Sequence, residues 1–127
     1  MKTVFRSLSA TLMFCLMLSG TLLANDPMAG AELRKDLKTF VIEREMPGVQ
    51  NLTHTDLVSA SQNSCSVIKD LGPDIVWLHS YVSENKIYCV YQASDKEIIR
   101  KHAEQAGFPA NSIKEVATVI SPATAEE

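Results

Sequence analysis

Residues 75–92, IVWLHSYVSENKIYCVYQ, hold two runs of β-branched and aromatic residues joined by Ser83-Glu84-Asn85. Ile75 to Val82 and Lys86 to Gln92 each read as a strand, and the polar link is short enough for a hairpin. On the first strand, strict alternation puts Ile75, Trp77, His79 and Tyr81 on one side and Val76, Leu78, Ser80 and Val82 on the other. The second set is what a helix-covered face needs. A three-residue loop sets His79 opposite Cys89, Trp77 opposite Tyr91 and Tyr81 opposite Ile87. A two-residue loop shifts the pairing by one and turns Cys89 to the other face. Both registers are open at this point.

Outward from the hairpin, each flank supplies a helix and then a strand. Upstream, Leu57, Ser61, Cys65, Ile68 and Leu71 recur at helical spacing, with Gly72-Pro73 as the stop. Thr53 with Asp56, or Thr55 alone, can cap that helix. Before it, Thr39 to Arg44 reads as a strand that Pro47-Gly48 breaks. Downstream, Ser94-Asp95-Lys96-Glu97 has the form of a capping box. The helix it opens carries Ile98, Ile99, His102, Ala103 and Ala106 along one side and ends at Gly107. Ile113 to Ile120 reads as the last strand. The order β-α-β-β-α-β with right-handed crossovers predicts an α+β, ferredoxin-like fold: a four-stranded antiparallel sheet with both helices on one face. The other face must then meet water, a ligand or another subunit.

The N-terminus has the three parts of a secretory signal. Lys2 and Arg6 precede an uncharged apolar run from Leu8 to Ala24, and Asn25-Asp26-Pro27 ends it. The run falls short of the ~20 residues of a spanning helix, so a cleaved signal is expected over an anchor. Cleavage after Ala24 is preferred; Ala29-Gly30-Ala31 offers a second point after Ala31. The expected organisation is a signal peptide 1–24, a flexible leader 25–37, a domain 38–122 and a tail 123–127. The mature protein is expected in the periplasm or outside the cell, with no membrane association after cleavage. Loss of the positive charges Lys2 and Arg6 takes the net charge from -3 to -5. A mildly acidic, well-mixed surface argues against nucleic acid as a partner.

Catalytic signatures such as Gly-x-Ser-x-Gly, the P-loop or His-Glu-x-x-His are absent from the sequence. Candidate metal donors are His79, Cys89, His102 and Glu43; imidazole and thiolate suit nickel, copper or zinc. Each has a plainer reading. A strand histidine such as His79 is most often structural, His102 fits an amphipathic residue with its ring edge in water, and Glu43 fits a solvated strand end. Cys65 and Cys89 have three readings: buried free thiols, a disulfide between helix and strand, or thiolate ligands. Trp77, Tyr81 and Tyr91 form a candidate ligand face. It supports an alternative reading, a small dimeric α/β-barrel enzyme or ligand-binding protein with His79 inside an apolar cavity. A module that binds another protein through the open face is a third.

Phe40-Val41-Ile42-Glu43-Arg44, Trp77-Leu78-His79-Ser80-Tyr81-Val82, Lys86-Ile87-Tyr88-Cys89-Val90-Tyr91, Ile99-Arg100-Lys101-His102-Ala103 and Gly107-Phe108-Pro109-Ala110 follow one another in this order. With Ile113 and Glu115-Val116, they resemble a small domain-of-unknown-function family whose structurally characterised member is described as a nickel-binding protein. The resemblance spans about residues 38 to 122. It implies a ferredoxin-like homodimer that binds nickel or another divalent transition metal without catalysis. His79, Cys89 and His102 match recurring positions of the family.

Overall fold

Strand β1 (Lys38–Glu45) lies between β3 (Lys86–Ala93) and β4 (Ser112–Glu115), and β2 (Ile75–Ser83) pairs with the outer edge of β3. The computed structural model describes residues 34–126. The expected signal peptide and most of the leader lie outside the described residues. The sheet order is β2-β3-β1-β4 and every pairing is antiparallel, so the ferredoxin-like reading holds. Helices α1 (His54–Leu71) and α2 (Lys96–Ala106) cover one face. Phe40, Ile42, Ile75, Cys89, Tyr91, Ala93, Ile99 and Ile113 form the core between them and the sheet. Among the described residues no helix is long and apolar enough to cross a membrane. Residue Arg34, near the end of the expected leader, is tied to β3: its N–H donates to Gln92 Oε1 at 2.9 Å and its carbonyl accepts from Gln92 Nε2 at 3.1 Å.

Local chemistry sets the element ends. Thr53 Oγ1 accepts from the Asp56 amide while the Asp56 carboxylate accepts from the Thr53 amide, the capping box expected for α1. Its buried stripe differs from the expected one. Ser64 is buried and Cys65 is exposed. The stripe Leu57-Ser61-Ser64-Ile68-Leu71 follows the 3.6-residue period, and Cys65 lies about 100° away from Ser64. Helix α2 starts one residue later than expected. Asp95, not Ser94, is the cap, accepting from the Ile98 amide at 3.0 Å. Gly107 closes α2 at φ 74°, the left-handed conformation that glycine takes without cost.

The hairpin resolves in favour of the two-residue loop. Ser83 pairs with Lys86 and Ser80 with Cys89. Asn85 sits at φ 57°, a position that asparagine tolerates better than most residues. A β-bulge between Trp77 and His79 then restores the Trp77–Tyr91 pair. Its consequence is a change of side within one strand. Before the bulge Ile75 and Trp77 face the helices; after it Ser80 and Val82 do, and His79 and Tyr81 turn to the open face. Strict alternation therefore misassigned half of β2.

The last strand is shorter than expected. It ends at Glu115, paired with Phe40, rather than at Ile120. Strand β1 is the neighbour of β4 and begins at Lys38, so the chain runs out of backbone partners two residues further on. Val119 and Ile120 beyond it are 77% and 78% exposed.

Candidate functional site

On the helix-free face, β2 presents His79 to solvent, its ring edge-on to Tyr81 at 5.1 Å. Tyr81 is itself 62% exposed. Glu43 reaches the same face from β1 and forms an ion pair with Lys86, whose pKa the carboxylate raises. Strand β3 separates Glu43 from His79, a lateral distance of about 10 Å at ordinary strand spacing. The two do not meet within one chain.

The covered face holds a different set. Period-two alternation along β1 puts Arg44 on the inward side with Phe40 and Ile42, and the residue is only 2% exposed. Its Nε–H donates to Cys89 Sγ at 3.3 Å and an Nη1–H to the Pro109 carbonyl at 2.5 Å. The Phe108 ring stacks at 5.5 Å from the guanidinium carbon. Nη2 is buried without a hydrogen-bond partner. Deeper in, His102 is 0% exposed, with Nε2 at 3.1 Å from Ser64 Oγ, and Ser64 Oγ lies 3.5 Å from the Tyr91 hydroxyl. Burial, then the nearby positive charge of Arg44, lowers the His102 pKa to about 4, so the ring is neutral at pH 7. Burial raises the Tyr91 pKa as well. The expectation of a half-solvated His102 is corrected: α2 turns this residue fully inward beside Ala103 and Ala106.

A cavity of about 100 Å³ opens between α1 and the sheet. Met46, Leu57, Ile87 and Phe108 are among its apolar walls, and Arg44, Ser64, Cys89 and Tyr91 supply polar atoms. Trp77 lines it too. The expected aromatic face is thus divided: Trp77 and Tyr91 line the cavity, whereas Tyr81 and His79 lie on the opposite side of the sheet. A cavity with His79 inside it would favour the alternative enzyme reading, and His79 does not line this one.

The four candidate donors do not gather. His79 and Glu43 lie apart on the open face, and Cys89 and His102 are sequestered on the covered one. Among the described residues, no group of three or more His, Cys, Asp or Glu side chains is placed to hold a metal ion. A closed nickel centre within one chain does not fit this donor set. Cys65 and Cys89 are both free, one exposed and one buried. Sequence reasoning missed Arg44 and Ser64. An arginine in phase with Phe40 and Ile42 was the available signal for the first; a serine in phase with Leu57, Ile68 and Leu71 was the signal for the second.

Comparison with known proteins follows the same outline. A family model described as "Nickel responsive protein SCO4226-like" matches residues 40–116. Among solved structures, the crystal structure of SCO4226 from Streptomyces coelicolor A3(2) is similar, with a TM-score of 0.55 and 24% sequence identity. The match covers 65% of this chain and 99% of that one, and it shows a shared fold. No curated protein matches the chain.

Proposed function

The chain belongs to the SCO4226-like family of nickel-responsive proteins, and from that membership we propose an exported, non-catalytic homodimer that binds nickel or another divalent transition metal. In this reading His79 is the donor that each copy contributes. The observation that carries it is the exposed imidazole on the sheet face that neither helix covers. One imidazole holds a metal weakly, and among the described residues of a single chain no group of three or more His, Cys, Asp or Glu side chains gathers to hold one. A two-fold contact between open faces repeats the same patch on both copies, so it can bring a second set of donors to the first. Exposed Tyr81 beside His79 supplies surface for such a contact. Export rests on the N-terminal sequence. In the periplasm, nickel binding suits scavenging, buffering or resistance.

The test is calorimetric titration of the exported, processed protein with nickel, alongside sedimentation. The expected result is binding in the micromolar range by a dimer, weakened roughly tenfold or more in His79→Ala, a loss of at least ~1.4 kcal/mol. Absence of binding at micromolar nickel overturns the metal reading. Unchanged affinity in His79→Ala removes the residue from it.

A further inference from the structure

The geometry points to the cavity under α1 as a binding site for a small monocarboxylate with an apolar body. The reasoning begins with Arg44. A guanidinium cannot lose its proton in a protein, so its charge persists when it is buried, and a buried charge calls for a counter-charge. None is present: among the described residues no carboxylate pairs with Arg44, and the cavity lining contains neither Asp nor Glu. His102 nearby is neutral and adds no charge of its own.

The hydrogen-bond inventory narrows the ligand. Nε and Nη1 are committed to Cys89 and Pro109, which hold the guanidinium in place, and Nη2 is left free. Tyr91 and Ser64, whose hydroxyls lie 3.5 Å apart, line the same cavity. With a small shift of the side chains that close over Nη2, one carboxylate oxygen can accept from it while the other accepts from a hydroxyl, a charge-assisted arrangement suited to a planar anion. The remaining wall is almost wholly apolar and selects a ligand that carries hydrocarbon behind its charge. Cavities of roughly 150 Å³ hold benzene. The volume here, about 100 Å³, therefore suits a short chain or a ring that extends toward the rim, where Leu52 and Val82 are exposed.

Trp77 lines the cavity and is the only tryptophan in the sequence, so its fluorescence reports occupancy directly. The full processed protein, treated with EDTA to separate this site from any metal site, is titrated with hexanoate and benzoate. Benzamide serves as the uncharged isostere of benzoate and sulfate as an anion with no apolar body. Saturable changes are expected for both carboxylates, with Kd below about 1 mM, and binding at least about tenfold weaker for benzamide and sulfate. Arg44→Lys should weaken benzoate about tenfold or more. Ala60→Leu, which fills the cavity from α1 without touching Arg44, should abolish the response and tests the site even where Arg44→Lys fails to fold. Equal affinity for benzoate and benzamide, no saturation by either carboxylate up to about 10 mM, or an undiminished response in Ala60→Leu overturns the assignment. Because metal is absent throughout, failure here leaves the nickel reading standing, and failure of nickel binding leaves this site standing.

Discussion

The two faces of one sheet carry the same residue types in opposite states. On the covered face His102 is fully buried and its pKa is depressed to about 4, whereas on the open face His79 stands in solvent beside Tyr81. Arg44 is buried with an unpartnered nitrogen on one side; Lys86 is half-buried on the other and paired with Glu43. The contrast follows from what lies over each face. Helices exclude water, so every polar group beneath them must find a fixed partner or wait for a ligand. Water remains available to His79, which therefore needs no fixed partner. The molecule therefore offers two chemistries on opposite sides of strands that alternate residue by residue.

The largest expected difference between the faces is in packing. Ile42→Ala removes a side chain that is 0% exposed and should cost about 3 kcal/mol in chemical denaturation. Tyr81→Ala on the open face should cost less than about 0.5 kcal/mol at dilute concentration. A comparable loss for Tyr81→Ala would break the contrast by showing that the open face is already covered in solution.

The next effect is acid sensitivity. His102 is neutral in the folded chain down to about pH 4, while in the unfolded chain it protonates at its ordinary value near 6.5. Between these values the unfolded state binds the extra proton, so stability is fully present above about pH 6.5 and is lost as pH falls toward 4. The shift corresponds to roughly 3 kcal/mol across the window. Urea unfolding at several pH values should show this slope in the wild type and lose it in His102→Gln, and His79→Gln should leave it intact.

The smallest effect concerns the turn that divides the faces. Asn85 at φ 57° also joins the loop before α1, with its Oδ1 accepting from the Gly48 amide at 2.9 Å. Asn85→Ala should cost about 1–2 kcal/mol through the left-handed backbone and the lost hydrogen bond. Asn85→Gly, which relieves the first term, should cost less. Equal penalties in thermal melts would show that the side chain rather than the backbone holds the register.

Residue types in order were enough to read the fold. Helical periodicity, the Thr53–Asp56 cap, Gly107 as the helix stop and the two strand runs around Ser83-Glu84-Asn85 are local signals, and each corresponds to an observed element. The candidate site was legible only in part. Cys89 and His79 were singled out as chemistry-bearing, but their relation depended on a loop length that alternation does not encode. The extra residue Leu78 makes no visible change in composition, yet it puts Ile75 and Trp77 on the side opposite to the one that alternation gives them. Cys65 outranked Ser64 on apolarity, yet the Tyr91 hydroxyl and the His102 ring, both from elements distant in sequence, give Ser64 its place.

By itself, then, the sequence determined the element order, the Thr53–Asp56 cap and the family, because these depend on neighbours within a few residues along the chain. Tertiary structure alone decided that Arg44 is buried with an unpartnered nitrogen, that His102 is neutral, and that His79 and Cys89 stand on opposite sides of the sheet. Each of those depends on burial and pairing between residues far apart in the chain, where the dielectric, the available partners and the strand register are set by the whole fold.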